Sequence, residues 1–337
     1  MRLGALYGQT VVKEQLRRAL VDGRVAHAYL FFGPAGVGKK TAALAWAQAL
    51  NCTEPRAGEA CERCPACLKI RARSHPDLLW IEPSGASLRL EQLQEVRRRA
   101  LHGPYEGRYL VVALVQAELL TPEAANALLK LLEEPGERIV FVLVSDRAQD
   151  LLPTVRSRCQ AVRFRPLPRP VLARFLVEQG LGEPQAQRLA ALAGGSLERA
   201  KALAAGSFPQ ELVREVWSLL WEGSVRRRLE WAERFKDQDG REWLELFLDW
   251  TRDVWVWLKT GRSDLLHDPE LPDRLPANLP PPRELAALGR RILQARRALE
   301  QNAQKQLLWE VVFLGWPRAA ASEGRTRGGK SSRGPVP

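Results

Sequence analysis

A glycine-rich turn near the start of the chain has the residue types and the spacing of a phosphate-binding loop. It reads Gly-Pro-Ala-Gly-Val-Gly-Lys-Lys-Thr over residues 33–41, after a short apolar run and before a helical stretch. In that context backbone N–H groups and the helix N-terminus converge on phosphate oxygens, and the first lysine adds a positive charge. The sequence therefore predicts nucleotide contacts from Gly33, Gly36, Gly38, Lys39, Lys40 and Thr41.

The same loop lacks the groups that would hold a catalytic metal. The position that normally supplies a hydroxyl to Mg²⁺ is Lys40. The strand expected to end in an acidic pair ends instead at Val115 and Gln116, and the next acid is Glu118. Phosphoryl transfer depends on the metal for positioning and charge neutralisation. We therefore expect no ATPase activity from this chain alone, no Mg²⁺, and at most weak binding of ATP or ADP.

Four cysteines lie within 16 residues in the pattern C-x8-C-x2-C-x2-C: Cys52, Cys61, Cys64 and Cys67. Cytosolic thiols stay reduced, so the cluster favours a metal over disulfides. Thiolates hold Zn²⁺ tetrahedrally, and the x2 spacing lets two of them reach one ion, although an iron–sulfur cluster also takes four cysteines. We predict one structural zinc per chain, with His75 outside the ligand set.

Two arginine features have a structural and a functional interpretation. Arg158, between Ser157 and Cys159, is either a surface charge or a residue that reaches into a neighbour's phosphate site. The run at residues 97–99 is three arginines, which we interpret as a solvated helix face rather than a contact to template phosphate. The residues alone do not decide the role of Arg158.

The elements that position these residues follow from apolar patterning. Short apolar runs at residues 28–32, 78–81, 109–115, 139–144 and 161–164 alternate with helical stretches in the first half. One of those stretches begins with Thr121 as N-cap and Pro122 at the first helical position. Strands that alternate with helices predict a parallel sheet covered on both faces.

The second half has a helical pattern. A proline-rich linker at residues 165–170 precedes three short predicted helices at residues 171–180, 185–193 and 197–204. From residue 211 onward, Trp243, Phe247, Trp250, Val254 and Trp257 recur at spacings of three and four, which favours core packing over base stacking. A last helical region is predicted at residues 284–313, and a disordered basic tail follows at residues 319–337.

Composition excludes several classes of protein. The 337 residues are 45% hydrophobic and 27% charged, which excludes wholesale disorder. The net charge is +12, or +8 without residues 318–337, a modest excess that suits contact with phosphate. No apolar run approaches the ~20 residues that span a bilayer, and the N-terminus lacks a signal-peptide core. We expect a soluble cytoplasmic protein without a membrane partner.

Several runs of residues resemble a known family over nearly the whole chain, from residue 8 to residue 316. They are Ala-His-Ala-Tyr-Leu-Phe at 26–31, the four-cysteine insertion, Thr-Pro-Glu-Ala-Ala-Asn-Ala-Leu-Leu-Lys-Leu-Leu-Glu-Glu-Pro at 121–135, Leu-Leu-Pro-Thr-Val-Arg-Ser-Arg-Cys at 151–159 and Leu-Glu-Gln-Asn-Ala-Gln-Lys-Gln-Leu-Leu-Trp-Glu at 299–310. Together they resemble the AAA+ clamp-loader subunits of bacterial DNA polymerase III, of the delta-prime type.

The resemblance implies an architecture and an assembly. It implies an α/β AAA+ domain at residues 1–165 with a zinc module at 52–67, a small helical lid at 166–207 and an all-α collar at 208–318. It implies a pentamer with gamma or tau motor subunits and a delta subunit, which loads a sliding clamp onto primed DNA during replication. Arg158 would then be an arginine finger for a neighbouring ATPase. The chain would be an accessory subunit of a DNA-directed DNA polymerase (nucleotidyltransferase) holoenzyme.

Two other functions fit the residues less well. A gamma/tau-type motor would need the missing hydroxyl and acidic pair, and an arginine where Glu198 follows Gly195, Ser196 and Leu197. A free-standing zinc-dependent nucleic-acid-binding protein would not need the collar-like C-terminal region. We therefore expect a subunit that does not hydrolyse ATP.

Overall fold

The structure, a computed structural model, describes residues 2–205, 210–238, 240–268, 270–300 and 303–317. The chain divides into two compact units, Met1–Phe208 and Pro209–Pro337. The predicted boundary between lid and collar, at residues 207 and 208, lies outside the described residues, and so does the predicted tail at 319–337. The division of the first unit into an AAA+ domain and a lid stays a prediction.

A parallel five-stranded sheet organises the first unit. Its strands are β1 (Ala28–Phe32), β2 (Leu78–Ile81), β3 (Leu110–Val115), β4 (Ile139–Ser145) and β5 (Gln160–Arg163). The strand order is β2-β3-β4-β1-β5, with Leu30 of β1 opposite Leu143 on one side and Ala161 on the other. Because β1 pairs with β4, the loop that follows β1 lies beside the end of β4.

Helices cover both faces of this sheet. They are α1 (Thr10–Val21), α2 (Lys39–Asn51), α3 (Pro65–Arg71), α4 (Leu90–Ala100), α5 (Pro122–Glu133) and α6 (Pro153–Ser157). One buried cluster joins Phe31 to Trp46 of α2, and a second joins Leu93 of α4 to Leu128 of α5. Every residue of β3 and β4 is buried, as expected for strands covered on both faces. The predicted α/β fold class is confirmed.

The start of α5 shows how local sequence fixes an element. Thr121 Oγ1 accepts a hydrogen bond from the N–H of Ala124 at 3.3 Å, and Pro122 occupies the first turn. These two features satisfy or remove N–H groups that have no partner within the helix. The helix therefore begins at the residue that the sequence predicts.

Three short helices after the linker complete the first unit. They are α7 (Arg169–Glu178), α8 (Glu183–Leu192) and α9 (Leu197–Ala204). They share a small core of their own that includes Leu172, Leu176 and Ala190. Ser196 caps α9, since its Oγ accepts a hydrogen bond from the N–H of Arg199 at 3.2 Å.

The second unit contains helices and no strand among its described residues. Its helices are α10 (Gln210–Glu222), α11 (Val225–Phe235), α12 (Gly240–Thr260), α13 (Pro282–Glu300) and α14 (Lys305–Leu314). Trp243, Phe247, Trp250 and Val254 of α12 are all buried, which confirms the packing interpretation for these four members of the stripe. The fifth member, Trp257, is half-buried. The region predicted as one helical segment at 284–313 forms two helices, α13 and α14.

A buried arginine ties the helix ends of this unit together. Arg228 donates from Nη1 to the carbonyls of Phe313 and Trp316 at 3.2 and 2.8 Å, and from Nη2 to that of Leu220 at 2.6 Å. Carbonyls at the ends of helices lack partners within the helix, and a guanidinium can satisfy several at once.

Among the described residues, no helix combines the length and the apolar character that crossing a bilayer requires.

Candidate phosphate loop, metal centre and interface arginine

The glycine-rich turn at residues 33–38 connects β1 to α2, which is the context that the sequence predicts for a phosphate loop. Gly36 and Gly38 have positive φ values of 71° and 98°, a conformation that favours glycine. A Cβ on Gly36 would lie 2.0 Å from Ser196 Oγ, so this position also has no room for a side chain. In the described part of the chain, the N–H groups of Gly36 and Gly38 have no protein acceptor, and an anion could bind them.

Lys39 is buried in this loop and is fully occupied by protein acceptors. Its side chain is 4% exposed, and Nζ lies 2.7 Å from Oδ1 of Asp146. Nζ also donates to the carbonyl of Gly33 at 2.7 Å and to that of Pro34. An ammonium group has three protons to donate, and three protein groups accept them here. The lysine charge is therefore already neutralised by Asp146.

Asp146 and Glu118 place two carboxylates close to the loop. Asp146 follows β4 directly, and its N–H donates to Oε1 of Glu118 at 3.3 Å. Oε2 of Glu118 is buried and has no hydrogen-bond partner. The sequence pattern pointed to Glu118 but not to Asp146. The signal for Asp146 is its place at the end of β4, which points to the loop only once β4 is known to neighbour β1.

The first turn of α9 covers the tip of the phosphate loop. The N–H groups of Leu197 and Glu198 donate to the carbonyl of Gly36 at 2.8 and 3.2 Å. On the other side, Nε2 of Gln9 donates to the carbonyls of Arg165 at 2.7 Å and Val37 at 3.4 Å. The loop is therefore fixed from two sides by protein groups.

The positions that would hold a metal carry other side chains. Lys40 is 55% exposed, and its Nζ lies 3.6 Å from Oε1 of Glu82. Thr41 is half-buried in the first turn of α2. The buried strand β3 ends at Val115, and Gln116 follows it with a φ of 55°. These positions offer the loop one ammonium and no carboxylate.

The four cysteines that the sequence predicts as metal ligands lie together in one cluster. Cys52 ends α2, Cys64 caps α3 and Cys67 lies within α3, while Cys61 is in the intervening loop. All four Sγ atoms lie within 4.8 Å of one another. Four thiolates around one zinc at about 2.3 Å would be separated by about 3.8 Å, so the cluster fits a metal with a small contraction. The cysteines could hold one metal ion.

Backbone N–H groups point at the sulfur atoms of this cluster. The N–H of Cys61 donates to Cys52 Sγ at 3.2 Å, and that of Cys64 donates to Cys61 Sγ at 3.3 Å. Burial raises the pKa of Cys64, but hydrogen bonds from Thr53 and Cys67 outweigh it and lower the pKa to about 6. Hydrogen bonds also lower the pKa of Cys61, whereas burial raises the pKa of Cys52 and of Cys67. The hydrogen bonds therefore favour the thiolate, the form that binds metals, at Cys61 and Cys64.

His75 lies outside this cluster, as the sequence analysis predicts. Its ring is buried, and Nδ1 accepts a hydrogen bond from the N–H of Asp77 at 3.0 Å. Its Nε2 lies 3.5 Å from Oε1 of Glu106. Burial lowers the pKa of His75, which favours the neutral ring. The contacts of His75 are therefore those of a structural residue and not of a metal ligand.

Arg158 lies on the surface at the end of α6. Its Nη2 is 2.7 Å from Oε1 of Glu133, and Nη1 donates to the carbonyl of Thr154 at 3.0 Å. The side chains of Arg158 and Glu133 are 36% and 50% exposed. The guanidinium is thus accessible from outside, and Glu133 holds it in place.

The arginines of α4 differ in environment. Arg99 is 15% exposed, bonds the buried Asp77 at 3.3 Å and packs over the ring of Tyr105. Arg97 and Arg98 are exposed, and Arg98 pairs with Glu95 one turn earlier. Two of the three arginines therefore lie on a solvated face, and the third stabilises the fold.

Comparison with known proteins begins with a family model that matches most of the first unit. The family model described as "DNA polymerase III, delta subunit" matches residues 8–168. That interval contains the phosphate loop, the cysteine cluster and Arg158. The resemblance inferred from the motifs is thus supported for the residues that carry the candidate sites.

Similar proteins extend this match into the second unit. The chain is 29% identical to DNA polymerase III subunit delta' of Bacillus subtilis over 91% of this chain and 95% of that protein. It is 36% identical to subunit delta' of Pseudomonas aeruginosa over 73% of this chain and 74% of that protein. The tau subunit of Escherichia coli is 30% identical over 91% of this chain, which spans 49% of that protein.

Among solved structures, a DNA polymerase III gamma subunit-related protein from Thermotoga maritima aligns with a TM-score of 0.49 and 22% identity, covering 89% of this chain and 97% of that one. The match to the Pseudomonas protein combines 36% identity with coverage of about three quarters of both chains. On that match the chain belongs to the delta' family of DNA polymerase III subunits.

Proposed function

We propose that this chain is a non-hydrolysing subunit of the DNA polymerase III clamp loader, which helps to open the sliding clamp and load it onto primed DNA. Membership of the delta' family supports the assignment to that complex. The observation that carries the non-hydrolysing role is the phosphate loop. Its backbone is intact, but Lys40 and the end of β3 provide neither the hydroxyl nor the acidic pair that Mg²⁺ would need.

Assembly is assigned to the second unit. Within the proposed complex, gamma or tau motor subunits and a delta subunit join this chain in a pentamer. The collar role of the second unit rests on the family resemblance and on a packed aromatic core. In this core the ring centroid of Phe247 lies 6.0 Å from that of Trp309 and 5.7 Å from that of Trp316. A well-packed helical unit can present a fixed surface to neighbouring subunits.

Arg158 is assigned to the ATP site of a neighbouring motor subunit. Its exposure at the end of α6 supports a role outside this chain, and a guanidinium can contact two phosphate oxygens at once. Contact with a neighbour's nucleotide would require Arg158 to leave Glu133, which is itself half exposed. Water can replace the arginine on that carboxylate at low cost.

The metal is assigned as one structural Zn²⁺, held by Cys52, Cys61, Cys64 and Cys67. Four thiolates complete a tetrahedral shell and leave no open position for a substrate. When bound, the ion supplies a cross-link between α2 and α3. The residues between Cys52 and Cys64 contribute few apolar side chains to the core, so this cross-link would replace a hydrophobic core of their own.

Nucleotide is assigned a minor role. The free N–H groups of Gly36 and Gly38 support weak ATP or ADP binding, without Mg²⁺ and without turnover. A gamma/tau-type motor would hydrolyse ATP at this loop, and nothing at Lys40 or at the end of β3 favours that alternative. A role in DNA replication suits a cytoplasmic location for this chain.

Reconstitution tests this proposal directly. The full chain is mixed with candidate motor and delta subunits, and the products are sized by light scattering. Loading of a fluorescent clamp onto primed DNA is then measured with this chain present or omitted. We expect a defined pentamer, and loading that falls to background when this chain is left out.

Two results would contradict the proposal. One is failure to enter a complex with motor and delta subunits that assemble normally without this chain. The other is steady ATP hydrolysis by the pure chain that Lys39→Ala abolishes, because that result would restore the motor-subunit alternative. Lys69→Ala is a matched control, since it removes an exposed lysine that pairs with Glu106 on the surface.

A further inference from the structure

We propose that Asp146 closes the phosphate loop of this chain by occupying Lys39 in place of a nucleotide phosphate. The two groups lie 2.7 Å apart, and Lys39 is almost completely buried. A phosphate bound to this loop would need the same ammonium group. Binding of nucleotide would therefore require the Lys39–Asp146 ion pair to open.

The geometry leaves no donor on Lys39 for an incoming anion. Its other two protons go to the carbonyls of Gly33 and Pro34 in the loop itself. A hydrogen bond from the N–H of Asp146 to Oε1 of Glu118 fixes the backbone of Asp146. A phosphate would thus meet the negative charges of Asp146 and Glu118 together with a lysine that is already neutralised.

The rest of the loop remains suitable for phosphate. The N–H groups of Gly36 and Gly38 have no acceptor in the described part of the chain. The lid contacts use the carbonyl of Gly36 rather than its N–H. Lys40 does not offset Asp146, because it extends toward Glu82. Electrostatic competition by Asp146 is therefore the main obstacle that the structure shows.

This inference rests on the proposed function only in treating the loop as a phosphate site that performs no hydrolysis. The lack of hydrolysis and the weak binding at this loop then have two separate causes. The missing metal ligands prevent turnover, whereas Asp146 weakens binding itself. Removing the charge of Asp146 should therefore restore binding without restoring hydrolysis.

Equilibrium dialysis of radiolabelled ADP against the full chain tests the inference. The variant is Asp146→Asn, which keeps the size of the side chain and an acceptor for Lys39. We expect it to bind ADP at least about tenfold more tightly than the unchanged chain, which corresponds to 1.4 kcal/mol. Adding Lys39→Ala to this variant should remove the gain, which would place the ligand in the loop.

Asp150→Asn is the matched control. Asp150 lies four residues further along and pairs with Arg147 on the surface, so this change removes the same charge without touching Lys39. Equal affinity for the unchanged chain and a folded Asp146→Asn variant would overturn the inference. So would an equal gain in Asp150→Asn, or micromolar binding by the unchanged chain. Each of these results leaves clamp loading by the complex untouched and so is separate from failure of the proposed function.

Discussion

Replacing Arg158 with alanine should damage a neighbouring active site while leaving this chain folded. Within the chain, Arg158 bonds Glu133 at 2.7 Å and the carbonyl of Thr154 at 3.0 Å. Both side chains of the ion pair are more than a third exposed, so water screens their attraction. Such pairs contribute roughly 0–1 kcal/mol. In a unit of this size, that loss lowers the melting temperature by no more than about 2–4 °C.

The expected loss of function is much larger. Arginine fingers accelerate phosphoryl transfer by about 10³–10⁵ at the site that they serve. Only one site of a motor with several ATP sites would borrow Arg158, so bulk DNA-stimulated hydrolysis should fall only in part. Clamp loading should fall further if each cycle needs that site. Arg158→Lys should restore little activity, because an ammonium cannot make the paired contact.

The assay compares reconstituted complexes that differ only in this chain. Arg156→Ala is a suitable control, since Arg156 is exposed on the same short helix two residues earlier. Glu133→Gln should retain clamp loading, because it releases the arginine without removing it. If the Arg158→Ala complex loads clamps as fast as the unchanged one, the arginine is only a surface charge. The role of this chain would then be limited to holding the assembly together.

Three further changes test the metal, the acid stability and the second unit. Cys64→Ser removes one ligand and so opens the ligand shell. Elemental analysis should show zinc falling from about one per chain to near zero, and residues 52–67 should become sensitive to protease. Retained zinc would contradict the assignment. Asp77 is buried, and although burial raises its pKa, hydrogen bonds from the N–H groups of Tyr105, Gly107 and Glu106 hold that pKa below its usual range. Its contribution to stability is therefore complete above the unfolded value of about 3.9 and is lost as the pH falls through the lower native value. Asp77→Asn should cost roughly 1–3 kcal/mol at pH 7 and flatten this acid dependence in urea titrations, whereas an unchanged acid profile would show that another carboxylate is responsible. Arg228→Met should destabilise the second unit by at least roughly 1.5–3 kcal/mol, followed by tryptophan fluorescence in denaturant, because three buried carbonyls lose a charged donor; a loss below about 0.5 kcal/mol would refute this.

The sequence was most informative where one physical pattern determines the structure. Continuous apolar runs such as residues 139–144 are strands because they must be buried on both faces of a sheet. The start of α5 followed from Thr121 and Pro122, since both act within one helical turn. The cysteine cluster was equally accessible, because the two x2 spacings place three thiols near one another and the fourth is close in sequence.

Features that depend on distant pairing were not accessible in this way. Asp146 is 107 residues from Lys39, and they meet only because β4 lies next to β1. The pairing of Arg158 with Glu133 likewise depends on how α5 and α6 pack. Arg228 is one of three consecutive arginines in α11, yet it is buried beneath the ends of two helices. In each case a charged side chain was located by topology rather than by local pattern.

The shape of the phosphate loop also has a structural explanation that does not require nucleotide. The carbonyl of Gly36 accepts two hydrogen bonds from the start of α9, and a side chain there would collide with Ser196. The carbonyl of Val37 accepts from Gln9, which also bonds the linker at Arg165. The loop therefore joins the sheet, the residue before the first helix, and α9 within the first unit. A chain without catalysis still needs glycine at this turn, because any Cβ on Gly36 would force α9 away from the loop.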